Sequence, residues 1–316
     1  MTAELVSPEM ALVRARCAEI AAGLPDRYGL PIEAARAQLL FERQWWQKEA
    51  PLMRTDETVM IRSNGRGVGL RRLVAANAYD GRRASRAPII YLHGGGWCVG
   101  SNATHESILR RLAFQSRHPV IGVDYSLAPE NPFPAGQDDV GAAIDSILAL
   151  WPADQGYALA GDSAGANLAL VEALRRRESR ALMPRTLLLF YGVFGRVRET
   201  GSMRQFGDGA FGLSRRALQC YQSLYLDLPE GVEPATPCEA FPLEADLRGL
   251  PRIALVSAEL DPLADDSSAL YQELRNARVP TELHQMRGLT HGFLSYGRML
   301  PAVEEAFALA LGMMAD

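Results

Sequence analysis

One serine in this sequence stands where an enzyme nucleophile is often found. Ser163 is the central residue of GDSAG at 161–165, between the apolar run 157–160 and a helical pattern over 164–177. A serine between a strand and a helix must lie on a sharp turn, which small neighbours permit and which exposes its hydroxyl at the start of the helix. The pattern therefore predicts that Ser163 is a nucleophile. The alternative is an inert serine in a glycine-rich turn.

A serine nucleophile needs a base, and the chain has five histidines. His291 lies in GLTHGF, a predicted loop between the last strand and the last helical segment. A loop beyond the carboxyl edge of a sheet can reach a serine at that edge, so His291 is the predicted base. Structural roles are predicted for the other four, which are His93, His105, His118 and His284.

An acidic residue must orient the imidazole and stabilise its charged form. Asp261 follows the apolar run 253–257, within AELDPL. The order Ser, Asp, His along the chain is one of the known orders for such a triad. Asp265 and Asp266 are rivals, but carboxylates at these positions also favour the start of the next helix. Asp261 is therefore the predicted third member.

Three consecutive glycines form a second feature with chemical meaning. They belong to HGGGW at 93–97, directly after the apolar run 88–92. Glycine N–H groups can approach a ligand without obstruction by side chains, and a developing oxyanion needs such donors. A plain turn or a phosphate-binding loop is the alternative, yet the Gly-Lys-Ser/Thr of a P-loop does not follow. The pattern favours an oxyanion-binding loop.

Short apolar runs alternate with amphipathic segments from about residue 58 onward, and these elements must position the residues above. The predicted strands cover 58–63, 69–74, 88–92, 119–123, 157–160, 186–191, 253–257 and 281–285. The predicted helices cover 106–117, 136–150, 164–177, 214–225, 266–277 and 302–313. Fully apolar strands that alternate with helices indicate an α/β fold with a mostly parallel central sheet and helices on both faces.

Two regions do not follow this alternation. Residues 1–50 carry helical patterns at about 8–22 and 32–48, and residues 196–230 form a polar, glycine-containing stretch followed by a helix. Both are predicted to be additions to a single α/β domain that spans 1–316. Together they would form a helical cap over one end of the sheet.

The composition excludes several classes of protein. A net charge of −4 disfavours nucleic-acid binding. The cysteines Cys17, Cys98, Cys220 and Cys238 are too far apart for a zinc site, so no metal is expected. Charged residues interrupt the N-terminal segment, and no apolar run approaches the length of a membrane span. We therefore expect a cytoplasmic protein with free thiols and no nucleic-acid or membrane partner.

These motifs together resemble the hormone-sensitive-lipase-like family of α/β-hydrolases. HGGGW, GDSAG, DPL at 261–263 and HGF at 291–293 match segments typical of the family, and DYSLAPE at 124–130 resembles another. The likeness covers roughly residues 58–316. It extends more weakly to ERQWW at 42–46, which looks like the cap of bacterial acetyl esterases. The resemblance implies an α/β-hydrolase fold with a helical cap.

The resemblance also implies an activity. Members of this family hydrolyse short-acyl esters without a cofactor. A serine carboxylesterase that acts on small acetyl to butyryl esters through an acyl-enzyme intermediate is therefore expected. An amidase, a formamidase or a small-molecule deacetylase with the same residues is an alternative, and a non-catalytic ligand-binding protein on this fold is another. Proteins of the family often dimerise, which leaves a homodimer open.

Site residues follow from the resemblance by position. The catalytic positions carried over are Ser163, Asp261 and His291, and the oxyanion donors carried over are the N–H groups of Gly94, Gly95 and Ala164. Five aromatic residues are candidates for the lining of the substrate pocket: Trp97, Tyr191, Trp45, Trp46 and Phe211. Each could equally belong to the core, because large apolar rings also fill protein interiors.

Overall fold

A single sheet forms the centre of the computed structural model, which describes residues 5–78, 86–151, 155–229 and 239–314. Cys238 and the cap positions 1–4 and 230 lie outside these ranges. The strands are β1 (Met53–Ser63), β2 (Arg66–Ala75), β3 (Ile89–Leu92), β4 (Val120–Asp124), β5 (Ala158–Asp162), β6 (Thr186–Phe190), β7 (Arg252–Leu260) and β8 (Thr281–Thr290).

The strands are ordered β1-β2-β4-β3-β5-β6-β7-β8 across the sheet. β2 pairs antiparallel with β1 and with β4, while the other neighbours are parallel. This is the predicted mostly parallel sheet. The chain moves outward from β3 to β4 and then returns to the other side of β3 to form β5, so the strand order reverses at β3. Sites in α/β sheets form beside such a reversal, at the carboxyl ends of the strands.

Helices cover both faces of the sheet, as predicted. Their bounds are α1 (Pro8–Ile20), α2 (Ile32–Gln47), α3 (Glu106–Ser116), α4 (Ala135–Leu148), α5 (Ala164–Ser179), α6 (Gly201–Phe206), α7 (Arg215–Tyr225), α8 (Ala264–Asn276) and α9 (Ala302–Gly312). α3 and α9 pack on one face, and α4, α5 and α8 pack on the other. None of the helices in the described ranges is long and apolar enough to cross a membrane.

The alternation of side chains along β3 explains why two helical layers are needed. Ile89 and Tyr91 belong to the core under α3 and α9, whereas Ile90 and Leu92 belong to the core under α4 and α5. Successive side chains of a strand point to opposite faces, so a strand that is apolar throughout must be covered on both sides. The apolar runs of the sequence predict the layered fold for this reason.

The two additions take different places on this core. α1 packs beside β8, and its Met10 and Val13 are buried in the same core as Phe293. α6 packs on α8. α2 and α7 instead contribute side chains such as Leu39 and Leu218 to a cavity at the carboxyl ends of the central strands. The N-terminal addition thus packs into the core through its first helix and lines the cavity with its second.

Candidate active site

Ser163 occupies the sharp turn between β5 and α5. Its backbone has φ +53° and ψ −119°, a conformation that residues other than glycine rarely adopt. A Cβ on Gly165 would lie 2.0 Å from the carbonyl oxygen of Leu92, and one on Gly161 would lie 2.4 Å from that of Gly165. A larger residue at Gly165 would therefore push the turn away from β3, and one at Gly161 would push the two sides of the turn apart. The Ser163 hydroxyl is left at the N-terminal end of α5.

His291 follows β8 directly and reaches the serine. Its Nε2 lies 3.0 Å from Ser163 Oγ, and its Nδ1 lies 2.7 Å from Asp261 Oδ2. The ring of Tyr191 packs edge-on against the imidazole, with 5.0 Å between the ring centroids. The structure thus brings the residues predicted as nucleophile, base and orienting acid into one hydrogen-bonded row. Such a row can move a proton from a serine hydroxyl to an imidazole whose charge a carboxylate stabilises.

The carboxylate of Asp261 is held on both oxygens. The residue directly follows β7 and is fully buried. Its Oδ2 contacts His291, while its Oδ1 accepts a hydrogen bond from the Leu263 N–H at 2.8 Å. A buried carboxylate with a partner on each oxygen keeps one orientation, so it can also hold the imidazole in one orientation.

The two rival aspartates, Asp265 and Asp266, accept hydrogen bonds from the backbone of the segment that follows β6. Both lie in the first turn of α8, as the helix-start alternative predicts. Asp265 accepts a hydrogen bond from the Ser202 N–H at 2.9 Å, and Asp266 accepts from the N–H groups of Phe194 and Gly195, both at 3.0 Å. Burial raises the pKa of Asp266, against the effect of these two donors. Both carboxylates are therefore committed to backbone groups that anchor this segment.

The glycine loop after β3 requires one correction. The N–H of Gly94 donates to Asp162 Oδ1 at 2.9 Å and is therefore already occupied, so the prediction of Gly94 as an oxyanion donor is wrong. Within the described part of the chain, the N–H groups of Gly95 and Gly96 have no hydrogen-bond acceptor, and both residues line the cavity beside the serine. Ala164 begins α5, and its N–H likewise lacks an acceptor in the described ranges.

Asp162, which precedes the serine, ties the glycine loop to the turn. Its Oδ1 accepts hydrogen bonds from the Gly94 N–H and the Tyr91 hydroxyl, both at 2.9 Å, and lies 3.4 Å from His105 Nε2. Burial alone would raise the pKa of this carboxyl, but His105, Tyr91 and the Gly94 amide outweigh it and hold the pKa below its usual range. The motif analysis missed this residue because GxSxG leaves its second position open. The available signal was a carboxylate between a strand end and the nucleophile.

The four other histidines make structural contacts. These are a stack of His93 on Tyr125, the contact of His105 with Asp162, a hydrogen bond between His118 and the Ala87 carbonyl, and a pair of His284 with Glu282. Burial lowers the pKa of His93 to about 4, so its ring is neutral at ordinary pH. Among the residues that the structure describes, no three His, Cys, Asp or Glu side chains are grouped so that they could hold a metal ion.

A cavity of about 120 Å³ opens beside Ser163 and His291. Its floor is the turn, the glycine loop and the histidine. On the cap side, the lining residues are Arg27, Tyr28, Leu39 and Arg43 ahead of β1, and Leu213, Leu218 and Tyr221 after β6. Two segments that are far apart in the sequence therefore build one roof over the serine.

Of the five aromatic residues predicted to line the pocket, only Trp97 lies among the described lining residues. Its ring stacks on that of Tyr225, with 4.4 Å between the centroids. The other four pocket assignments are wrong: Trp45, Trp46, Tyr191 and Phe211 do not line the cavity in the described structure. Their rings contact other groups, which are Arg298 for Trp45, Tyr296 for Trp46, His291 for Tyr191, and Phe206 for Phe211.

The lining residues of α2 were missed although the sequence carried a signal for them. Leu39 and Arg43 are four residues apart, so they share one face of the helix. That face is the one turned to the cavity. Trp46 lies on the same face but two turns beyond Leu39, where it is buried against Tyr296. Only the position of the helix over the sheet decides which turn meets the cavity.

Known proteins share this sequence and this fold. Residues 89–295 match a family model described as alpha/beta hydrolase fold. An acetyl esterase of Salmonella typhi is 36% identical over 285 residues, which cover 87% of this chain and 84% of the relative. An acetyl esterase of Salmonella agona matches with the same identity and coverage, 36% over 285 residues.

Solved structures of ester-cleaving enzymes are also similar. The ester hydrolase EH1AB1 from the metagenome of Lake Arreo has a TM-score of 0.87 at 30% identity, over 98% of each chain. The hyperthermophilic esterase from Pyrobaculum calidifontis has a TM-score of 0.85 at 28% identity, over 96% of each chain. An esterase from the bacterial hormone-sensitive lipase family has a TM-score of 0.80 at 27% identity, over 96% of this chain and 95% of that chain.

The sequence relatives and the solved neighbours agree on one class of reaction. All of those named above are esterases or ester hydrolases, which decides against a non-catalytic binding protein. The match to the family model covers the glycine loop, the serine turn and the histidine segment. The chain therefore belongs to the hormone-sensitive-lipase-like branch of the α/β-hydrolase fold family, and it is a carboxylic ester hydrolase.

Proposed function

We propose that this ester hydrolase cleaves small esters with short acyl groups, acetyl to butyryl, through an acyl-enzyme intermediate on Ser163. The observation that carries the proposal is the hydrogen-bonded row of Ser163, His291 and Asp261 at the floor of a cavity of about 120 Å³. The acetyl esterase relatives support a short acyl group.

The acylation step follows from the contacts of His291. Ser163 Oγ attacks the ester carbonyl carbon while His291 Nε2 takes the hydroxyl proton, and Asp261 stabilises the imidazolium through Nδ1. The tetrahedral intermediate then collapses, the carbon–oxygen bond to the alcohol breaks, and His291 returns the proton to the departing oxygen. The acyl group remains on Oγ.

Deacylation repeats these roles with water. His291 Nε2 takes a proton from a water molecule, whose oxygen attacks the acyl carbon. The proton is then returned to Ser163 Oγ as the carboxylic acid leaves. The enzyme is restored without a cofactor, since every proton that His291 accepts is given back within the cycle.

Three backbone amides are proposed to hold the oxyanion of both intermediates. They are the N–H groups of Gly95, Gly96 and Ala164, which have no acceptor among the described residues. Loss of one such donor typically raises a barrier by about 3 kcal/mol. Gly94 contributes indirectly, because its N–H holds the loop to Asp162.

Covalent labelling tests the role of Ser163 directly. The Lake Arreo relative was solved in complex with a derivative of bipyridine phosphonate. We expect a fluorophosphonate to label this protein at Ser163, and Ser163→Ala to abolish labelling and to lower kcat by about 10⁴-fold or more. Ser295 lines the same cavity and supplies the control, since Ser295→Ala should still be labelled. Labelling of Ser163→Ala at the wild-type rate would contradict the assignment.

A series of p-nitrophenyl esters tests the proposed acyl length. We expect the highest kcat/KM between acetyl and butyryl, because the roof closes over the serine. An optimum at dodecanoyl would contradict the proposal. The ratio of kcat/KM for an ester to that for its matched amide tests the amidase alternative, and we expect it to favour the ester.

A further inference from the structure

We propose that the active-site cavity accepts esters that carry a carboxylate, and that Arg43 binds this group. The inference rests on the proposed function and names the substrate class more closely. Hydrolysis of a neutral short-acyl ester requires no cationic wall, yet Arg43 lines this cavity.

Arg43 lies in the roof of the cavity, close to the catalytic histidine segment. It is four residues after Leu39 on α2, and both residues line the cavity with Ser163 and His291. Its guanidinium lies 5.4 Å from the ring centroid of Tyr296, which ends the short helix directly after His291. The charge is therefore held on the cavity wall that the histidine segment also builds.

Other arginines near Arg43 are paired with acids. These pairs are Arg27 with Glu42, Arg36 with Glu130, and Arg298 with Glu49. Arg43 forms no ion pair with any acidic side chain of the described residues. Its sequence neighbour Glu42 is occupied on both oxygens, by Arg27 on one and by the Gln38 amide at 2.8 Å on the other.

The other groups near Arg43 do not neutralise it. Burial raises the pKa of Tyr296 to about 12, so its hydroxyl is uncharged at ordinary pH. Asp162 is buried behind the glycine loop and bonded to Gly94 and Tyr91. Asp261 is buried and is hydrogen-bonded to His291 Nδ1. Each carboxylate at the floor thus has its own partners, whereas the charge of Arg43 in the roof has none among the described acids.

A substrate carboxylate would supply the missing negative charge. A guanidinium binds a carboxylate through charge-assisted hydrogen bonds, which are stronger in a cavity shielded from water than at an open surface. The expected ligands are small esters with a terminal carboxylate, either in the acyl part, as in a half-ester of a short dicarboxylic acid, or in the alcohol part, as in an acetylated hydroxy acid.

Matched pairs of esters test this proposal. Monoethyl succinate and diethyl succinate differ by a carboxylate in the acyl part, and 3-acetoxypropanoate and its methyl ester differ by one in the alcohol part. For each pair we measure the ratio of kcat/KM for the charged ester to that for the neutral ester. We expect Arg43→Gln to lower this ratio about 10- to 100-fold for the pair whose carboxylate meets Arg43, mainly through KM. Arg43→Lys should fall between the two.

An arginine of the first N-terminal helix provides the matched control. Arg16 is half-buried, pairs with Glu19 and does not belong to the described lining, so Arg16→Gln should leave both ratios unchanged. Equal ratios in wild type and Arg43→Gln for both pairs would overturn the proposal and leave Arg43 as a packing partner of Tyr296. If Arg43→Gln does not fold, salt decides, because added NaCl should raise KM for the charged ester alone. Equal KM changes for both members of a pair would overturn the proposal.

The two proposals fail in different ways. Absence of p-nitrophenyl acetate hydrolysis and of fluorophosphonate labelling in the wild type would refute the proposed function. Normal hydrolysis of neutral esters, with a charged-to-neutral ratio that does not depend on Arg43, would refute only the carboxylate site.

Discussion

The floor of the cavity comes from residues that directly follow β3, β5 and β8, with Asp261 after β7 buried behind His291, whereas its roof includes the faces of α2 and α7. Ser163, Asp261 and His291 are placed by the ends of strands whose own positions the sheet determines. Leu39 and Tyr221 are placed by how far each helix reaches over that edge. The floor therefore depends on backbone geometry, and the roof depends on the packing of side chains.

The difference also separates what each region can do. Floor groups are buried and bonded on several sides, as Asp261 is by His291 and Leu263. By the proposed mechanism Ser163 and His291 contact the reacting atoms and Asp261 orients His291, so their removal should lower kcat. Roof residues line the cavity away from the serine, where the non-reacting parts of a bound substrate would lie. Their replacement should change KM and the range of substrates.

The largest expected effect contrasts two aspartates of the same segment. Asp261→Asn should lower kcat for p-nitrophenyl acetate by about 10⁴-fold, because an amide favours the wrong tautomer of the imidazole. Asp265→Asn should change kcat little, since that carboxylate serves the Ser202 N–H. Steady-state kinetics of both variants makes the comparison. A large loss in Asp265→Asn with little loss in Asp261→Asn would reassign the acidic residue.

A smaller effect on kcat is expected when the contact between the glycine loop and the serine turn is weakened. Asp162→Asn removes the charge that holds the Gly94 N–H and the glycine loop. We expect kcat to fall up to about 10²-fold with KM nearly unchanged, since displaced oxyanion donors act on the transition state. Tyr91→Phe keeps the bond between Asp162 and Gly94, so it should cost less. Unchanged kcat in Asp162→Asn would show that the loop keeps its place without the carboxylate.

Substitutions in the roof should change which acyl chain lengths the enzyme prefers. Tyr221 lines the cavity, and its ring lies so close to Gly96 that a Cβ there would be 2.4 Å away. Tyr221→Ala opens space above the loop, so kcat/KM for hexanoyl relative to acetyl p-nitrophenyl ester should rise about 10-fold. Trp45→Leu is the control, because Trp45 packs under Arg298 instead. A shift in the Trp45 variant alone would restore the original pocket assignment.

The smallest expected effect concerns acid stability. The pKa of Asp162 is lowered in the folded protein by His105, Tyr91 and Gly94 against the effect of burial. The ionised carboxylate thus stabilises the fold above its unfolded pKa of about 3.9, and this contribution is lost as the pH falls through the folded value. Urea unfolding should therefore show that the stability difference between wild type and Asp162→Asn shrinks below about pH 4. A difference that grows on acidification would contradict the lowered pKa.

The sequence predicted the elements of the floor well, because strand ends and motif residues coincide there. The runs before Ser163 and Asp261 are largely apolar, which identifies buried strands and hence the edge that their last residues share. The assignment of Gly94 failed for a local reason. Three adjacent glycines are alike in sequence, and only the Asp162 carboxylate shows which N–H is already occupied.

Aromatic residues misled the prediction of the roof. Large apolar rings occur both in pockets and in protein cores, and Trp46 and Tyr191 are both core residues here. Arg43, a charged residue, lines the cavity instead. The helical spacing of Leu39 and Arg43 could have indicated a shared face, but it could not say what that face meets.

The sequence by itself determined the layered sheet and the residues that meet at its carboxyl edge, because periodicity and turn motifs act over a few neighbouring residues. The tertiary structure decided which amide faces the substrate, which side chains close the cavity, and where the charge of Arg43 is left without a described acidic partner. These features depend on contacts between segments such as α2, α7 and the glycine loop, which are far apart in the chain. Local pattern carries no information about such distances, since only packing sets them.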